Sequence, residues 1–220
     1  KATESYDWTG VYPELHNFCA VDLSAFYFDI RKDAIYCDRP DSLRRRAART
    51  VLDQLHRYLC TWLAPVLCFT AEEAWCARFG EQTSVHLELF PTPPTAWHDS
   101  ALADKWETIR TIRRRITVPI EDARKANLIG SSLQAAVELP LNEAHAKLLD
   151  EAAWEEIAIV SSVTIVSGTD EPLAKVTPAA GEKCVRCWRV LTEVGSNEKH
   201  PTLCLRCSDA VESGLVCKPA

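Results

Sequence analysis

The sequence predicts a mainly α protein: an antiparallel helical bundle, then a small α/β subdomain, then a ribbon built around four cysteines. Apolar residues recur every three or four positions through the first half of the chain, which is the period of an amphipathic helix. After Gly130 apolar and polar residues alternate, as in a half-buried strand. Two Cys-x-x-Cys pairs follow. We therefore expect three parts, with residues 1–128 as the bundle, 129–180 as the subdomain and 181–220 as the ribbon with its tail.

The helices of the first half have recognisable ends. A first helix is expected between residues 11 and 30, and a second between residues 43 and 66, with Ser42 or Asp41 as its N-cap. Pro65 is expected to kink or end this second helix.

Two more helices follow in the first half. Thr70 and Glu73 have the spacing of a capping box, which predicts a short helix that Gly80 ends. A Pro-rich connection leads to a long helix over residues 102–123, which is expected to kink or break near Val118 because Pro119 lies inside the pattern.

The second half mixes strands and a helix. Residues 133–139 alternate like a strand, residues 157–166 are rich in β-branched side chains, and residues 173–177 are a third candidate strand. Asn142 is expected to cap a helix that ends near residue 153. These elements predict the small α/β subdomain.

Composition places the chain among ordinary globular proteins. It is 47% hydrophobic and 25% charged, with a formal net charge of −6 over 220 residues, which excludes a disordered acidic tail, a collagen-like fibre and a coiled coil. No apolar run approaches the roughly 18 residues of a membrane span. The first residues lack the basic start and apolar run of a secretory signal. We therefore expect a chain that contacts no membrane, and we expect it to be a monomer. Scattered single thiols and a paired cluster of cysteines fit a reducing compartment, so we expect a cytoplasmic protein.

The cysteines point to a metal site. Five are scattered singly through helical sequence, where thiols usually serve as small buried hydrophobes. Two Cys-x-x-Cys pairs stand 16 residues apart, and each such pair brings two sulfurs to one side of an ion. The predicted ligands of one structural zinc are Cys184, Cys187, Cys204 and Cys207. Four sulfurs leave no vacancy for His200, and Cys217 lies outside both pairs and is expected to be a free thiol.

Basic residues are concentrated more than the net charge suggests. Residues 41–60 carry five Arg against two Asp, and residues 110–125 carry six basic residues against two acidic ones. Such stripes either bind nucleic acid or are simply solvated helix faces. In the second stripe the candidate phosphate contacts are Arg110, Arg113 and Arg114.

Trp188 follows the second cysteine directly. It either stacks on an unpaired base or packs as a lid over the metal. The cations that would accompany a stacked base are Arg186, Arg189 and Arg206. The sequence contains no G-x-S-x-G, phosphate-loop, H-E-x-x-H or Rossmann signature, so we expect no catalytic site in this chain.

Five strings, in this order, resemble the C-terminal region of bacterial isoleucyl-tRNA synthetases, which are class I aminoacyl-tRNA synthetases. They are FCAVDLSAFYFDIRKDAIY (18–36), LAPVLCFTAEEAW (63–75), SVHLELFP (84–91), IGSSLQAAVEL (129–139) and GEKCVRCWRV…LCLRC (181–207). The resemblance implies an anticodon-binding bundle and a zinc ribbon that grip the anticodon arm of isoleucine tRNA. It also implies that ATP-dependent attachment of isoleucine belongs to the rest of the synthetase chain, whose HIGH and KMSKS signatures do not occur here. Cys68 departs from the family, which usually has Pro there.

Two other classes remain open. Formamidopyrimidine-type DNA glycosylases carry a zinc finger with similar spacing, but they begin with a Pro-Glu pair, whereas this chain begins with Lys1 and Ala2. A non-catalytic protein-interaction bundle with a stabilising zinc would also fit the pattern.

Overall fold

The computed structural model describes residues 5–169 and 172–215. There the chain is mainly α with small sheets, as predicted. The helices are α1 (Val11–Asn17), α2 (Asp29–Cys37), α3 (Leu43–Leu63), α4 (Cys68–Phe79), α5 (Ser100–Lys125), α6 (Glu143–Ala146), α7 (Glu151–Ala158) and α8 (Leu205–Glu212). The strands are β1 (Ala135–Leu141), β2 (Ser162–Ser167), β3 (Lys175–Pro178), β4 (Glu182–Lys183) and β5 (Val190–Leu191). A π-helical stretch, Phe18–Phe28, joins α1 to α2. In the described part of the chain no helix has the length and apolarity that a membrane crossing needs.

The chain divides into two compact units. The first comprises Lys1–Pro40 and Asp104–Ala220, and the second comprises Asp41–Ala103.

A three-stranded sheet lies at the centre of the first unit. Strand β1 pairs in parallel with β2 and antiparallel with β3, so that Val137 is opposite both Val163 and Val176. A parallel pair needs a long crossover, and α7 lies within the one between β1 and β2. Isoleucines of α5, spaced by three and four residues, share one buried core with β1 and with Trp154 of α7.

Helix α5 runs through Pro119 without the predicted break. A proline inside a helix leaves the carbonyl four residues earlier without its usual donor. That carbonyl belongs to Arg115, and it accepts instead from the backbone N–H of Ala174, at 3.0 Å, just before β3. Of the kink or break predicted near Val118, the break does not occur, because a tertiary hydrogen bond replaces the one that proline removes.

The elements after β1 also differ from the prediction. Asn142 caps only the short α6, with its side-chain oxygen 2.8 Å from the N–H of His145. Asp150 caps a separate helix, α7, which takes in Ile157, a residue predicted to start a strand. The apolar residues of α7 are buried at helical spacing, so tertiary packing overrides their β propensity. Strand β2 begins only at Ser162.

The second unit is built on α3 and α4. Ser42 caps α3 by accepting from the N–H of Arg45 at 3.2 Å, and the helix ends before Pro65, as predicted. The capping box predicted at Thr70 is wrong, because α4 already begins at Cys68 and its N-cap residue makes no side-chain bond. Gly80 ends α4 with a φ of 93°, which favours glycine.

The core of the second unit surrounds Trp75. Its ring is 2% exposed and packs with Cys60, Ala64 and Val85. The indole N–H donates to the hydroxyl of Thr83 at 3.1 Å, so the buried ring keeps a polar partner.

Candidate metal centre and nucleic-acid surface

Four cysteine sulfurs converge in the first unit. Two come from the turn between β4 and β5; of the other two, one belongs to the residue just before α8 and one lies in the first turn of that helix. The four residues are Cys184, Cys187, Cys204 and Cys207, all buried. Their sulfurs all lie within 4.8 Å of one another. Among the described residues this group contains cysteines alone. His200 does not belong to it, and its Nε2 lies 3.7 Å from Oε1 of Glu212. Cys217 lies outside the described residues.

The turn that carries Cys184 and Cys187, here called the first knuckle, is held by backbone hydrogen bonds. The N–H of Trp188 donates to the carbonyl of Cys184 at 2.9 Å, and the N–H of Cys184 donates to the carbonyl of Arg189 at 2.9 Å. Gly181 enters this hairpin with a φ of 107°, and a Cβ there would lie 2.3 Å from the backbone of Leu191. Only glycine fits at that position.

The sulfur spacing fits a tetrahedral zinc ion. Zinc–sulfur bonds of about 2.3 Å place the sulfurs of a tetrahedron about 3.8 Å apart. Cys187 Sγ and Cys204 Sγ are separated by 3.8 Å. The backbone N–H of Cys204 also donates to Cys184 Sγ at 3.4 Å, a contact that stabilises a thiolate. Four protein sulfurs close the coordination sphere, which is the pattern of a structural site and not a catalytic one.

The local electrostatics favour a cation at the centre of the cluster. Burial opposes ionisation of Cys184, but backbone N–H donors outweigh it and lower its pKa to about 7. A hydrogen bond with Cys204 raises the pKa of Cys187 to about 12. Thiolates this close repel one another, so all four ionise together only around a positive ion.

Arg186 joins the first knuckle to the end of α2. Its Nη2 donates to the carbonyl of Tyr36 at 2.9 Å, and its Nη1 donates to the carbonyl of Cys37. The last carbonyls of a helix lack intrahelical donors and form the negative end of its dipole, so a cation there is stabilising. Cys37 in turn donates from Sγ to the carbonyl of Arg186 at 3.7 Å.

Two further ribbon arginines make ion pairs within the same unit. Arg206 of α8 donates to Asp33 Oδ1 at 2.7 Å and to Asp38 Oδ1 at 3.0 Å. Burial lowers the pKa of Arg206, but the hydrogen bonds and the charge of Asp33 outweigh burial, so the pKa lies above its usual value. Arg189 pairs with Glu155 of α7 and also donates to the carbonyl of Ser161 at 2.6 Å.

Trp188 is exposed to solvent. Its side chain is 60% accessible, and the ammonium of Lys183 lies 5.6 Å from its ring centre. A lid packed over the metal would be largely buried, and an exposure of 60% does not fit that alternative.

The arginines of α5 do not form one solvated stripe. Arg110 pairs with Asp22 at 2.7 Å and lies over the ring of Phe26. Arg113 donates to the carbonyl of Ile157 at 2.7 Å, and burial lowers its pKa. Of the three predicted residues only Arg114 is exposed.

Sequence reasoning missed Cys37 as part of the metal centre. It lies in one buried cluster with the four paired cysteines, and a hydrogen bond with Cys207 lowers its pKa. It precedes Arg186 by 149 residues and belongs to no pair, so no local spacing identifies it.

Comparison with protein families identifies two regions of the chain. Residues 1–139 match the anticodon-binding domain of tRNA ligases, and residues 181–210 match the zinc finger found in FPG and IleRS. The second match contains all four clustered cysteines.

Similar proteins are named isoleucine–tRNA ligase. The one from Gluconobacter oxydans is 56% identical over 215 residues, which is 96% of this chain and 22% of that protein. The one from Agrobacterium fabrum is 42% identical over 92% of this chain and 22% of its own length. The one from Zymomonas mobilis is 43% identical over 90% of this chain and 21% of its own length. The chain thus spans about a fifth of the length of these relatives, and by its match over residues 1–139 it belongs to the anticodon-binding domain family of tRNA ligases.

Proposed function

We propose that this chain binds the anticodon arm of a tRNA that accepts isoleucine, as the RNA-binding part of an isoleucine–tRNA ligase. One observation carries the proposal: a single chain joins an anticodon-binding domain to a zinc finger of the kind found in FPG and IleRS. Relatives over nine-tenths of the chain are named isoleucine–tRNA ligase. The DNA glycosylase alternative shares only the zinc finger, and a protein-interaction bundle accounts for neither match.

The four cysteines hold one zinc ion in this proposal. The bound ion ties β4 and β5 to the N-terminus of α8, and it takes no part in a reaction. Arg186 and Arg206 hold the ribbon against α2, so the exposed ring of Trp188 has a fixed position. A fixed aromatic ring presents a stacking surface to an unpaired anticodon base at little entropic cost.

Cations complete the proposed RNA surface. Lys183 lies beside Trp188, and Arg114 is exposed on α5, so both face solvent where a phosphate would lie. Arginine carries five N–H donors, and those that the internal contacts leave unused are the ones proposed to reach RNA. The residues with such internal contacts are Arg110, Arg113, Arg186, Arg189 and Arg206.

The remaining parts of the proposal concern the longer protein. Attachment of isoleucine with ATP is assigned to the rest of the synthetase chain, in a cytoplasmic monomer. The division into a bundle (1–128), an α/β subdomain (129–180) and a zinc ribbon (181–220) is kept as part of the proposal. It is supported by a zinc-finger match that begins at residue 181.

Selective tRNA binding is the first expected result. In a gel shift with the zinc-loaded chain, isoleucine tRNA should bind about 10- to 100-fold more tightly than a tRNA with another anticodon, the range for one or two base contacts. A DNA duplex that contains an oxidised base serves as the control for the glycosylase alternative. Equal binding of all tRNAs, or a preference for the damaged DNA, would contradict the proposal.

Replacing Trp188 with Ala tests the stacking contact. The change should weaken binding of isoleucine tRNA by about 1–3 kcal/mol, the value of one base–aromatic stack. Since an uncharged ring releases no counterions, the salt dependence should stay the same. Arg114→Ala is the comparison variant: it should weaken the binding of all tRNAs alike and reduce the salt dependence of that binding. Both effects are measured by anisotropy titrations at several salt concentrations. A Trp188→Ala chain that retains zinc and binds like the parent would rule out stacking.

A further inference from the structure

A cleft in the second unit, lined mainly by polar side chains, contains none of the residues assigned to tRNA binding above. It encloses about 650 Å³ along α3 and reaches α4. Its lining residues all belong to that one unit: Arg46, Arg49, Thr50, Leu52, Asp53, His56 and Arg78. The positions taken from α3 are spaced by three and four residues, so they lie on one face of the helix.

The charge of the cleft is positive and incompletely paired. Three arginines line it against a single acid, Asp53. Arg78 binds that acid from two nitrogens, Nε at 3.0 Å and Nη2 at 2.7 Å, so these two residues neutralise each other. Arg46 and Arg49 are exposed and stand one turn apart on α3, and neither makes an ion pair with Asp53, the one acid among the lining residues. Two guanidinium groups so placed suit the oxygens of phosphate groups, which arginine binds through two parallel hydrogen bonds.

Asp53 gives the cleft a second chemical feature. Both bonds from Arg78 end on Oδ1. In the described part of the chain, Oδ2 of this carboxylate has no hydrogen-bond donor and is able to accept one. A carboxylate repels phosphates and acidic side chains, but it accepts a hydrogen bond from a sugar hydroxyl. An acid held between arginines therefore favours a ribose–phosphate chain over an acidic protein surface, because ribose supplies the hydroxyl.

We infer that this cleft binds the ribose–phosphate backbone of RNA. Arg46 and Arg49 contact phosphates, and Asp53, held in place by Arg78, accepts a hydrogen bond from a ribose 2′-hydroxyl. The inference rests on the proposed function for the class of RNA. It assigns a binding surface that is separate in sequence from Trp188 and from the zinc finger.

Salt titrations test the phosphate contacts. The double variant Arg46→Ala/Arg49→Ala removes two charges from exposed helix positions, where alanine preserves the helix. Lys105→Ala/Lys147→Ala removes two charges from exposed positions outside the cleft and serves as the control. Between 50 and 200 mM KCl, each phosphate contact contributes a slope of about 0.7–0.9 in log affinity against log salt. The affinity of the Arg double variant for isoleucine tRNA should therefore fall about 7- to 12-fold less over this range than that of the parent, and the control should match the parent.

Sugar chemistry tests the role of Asp53. The parent should bind an RNA anticodon-arm hairpin more tightly than the same hairpin made of DNA. Asp53→Ala should reduce this ratio of RNA affinity to DNA affinity, although the substitution raises the net positive charge. Circular dichroism checks that each variant is folded.

The outcomes separate this inference from the proposed function. A parent that binds no tRNA overturns both. If the parent binds tRNA and the Arg double variant has the same affinity and the same salt slope, the cleft does not bind RNA, while the proposed function stands. An acidic protein surface is then the occupant that remains for the cleft. An unchanged RNA-to-DNA ratio in Asp53→Ala overturns the ribose contact.

Discussion

Replacing Cys207 with Ser is expected to release the zinc and unfold the ribbon, while the core around α5 and β1 stays folded. Zinc contributes on the order of 10 kcal/mol to the folding of isolated zinc fingers, far more than the small apolar cluster of this ribbon supplies. The four sulfurs are all buried, and a serine hydroxyl is a poor substitute for a thiolate ligand. None of the four clustered cysteines lies in the core shared by α5, the sheet and α7.

Three measurements check this expectation. Elemental analysis should give one zinc per chain for the parent and much less for the variant. In hydrogen exchange, the backbone amides of α8 should lose their protection in the variant, and those of β1 should keep it. Cys68→Ser is the matched control, because that thiol is exposed and lies outside the cluster. Zinc retained at the parental level in Cys207→Ser, with an intact ribbon, would falsify the assignment of this residue as a ligand.

The sequence is informative wherever the structure depends on neighbours along the chain. The paired cysteines are three residues apart, and this local spacing identified the four residues whose sulfurs the structure brings together. The cap at Ser42 and the stop at Gly80 are local in the same way, and both were predicted. Helical periodicity likewise identified the isoleucines of α5 as core residues.

Contacts between distant residues account for what the sequence did not reveal. Pro119 stays inside a helix because the N–H of Ala174, far along the chain, satisfies the carbonyl of Arg115. Cys37 adjoins the metal cluster because the ribbon packs on the end of α2.

The charge runs show the same limit. A count of charges on α5 suggests one basic surface, yet Arg110 and Arg113 make internal contacts and Arg114 faces solvent. Composition reports how many cations a segment has, and only the packing decides which of them remain open to a phosphate.

The ion pairs of Arg206 are expected to contribute most of the charged interaction between α8 and α2. Arg206 and Asp33 are each 31% exposed in their side chains, and Asp38 is 8% exposed. Removing the arginine leaves two carboxylates close together and partly desolvated. Breaking a fully buried pair costs about 3–5 kcal/mol, and partial solvent screening reduces this to about 2–3 kcal/mol here.

Arg206→Leu should therefore speed hydrogen exchange in α8 about 30- to 150-fold in the zinc-loaded chain, since 1.4 kcal/mol corresponds to a factor of ten. The double variant Arg206→Leu/Asp33→Leu should recover part of the loss, because it also removes one of the two carboxylates that lose the arginine. Arg39→Ala is the matched control: its pair with Asp209 joins the same two parts of the unit, but both side chains are more exposed, so its removal should cost less than about 1 kcal/mol. If Arg206→Leu and Arg39→Ala have equally small effects, the ion pairs of Arg206 do not hold the ribbon on α2, and the capping of the α2 carbonyls by Arg186 must do so instead.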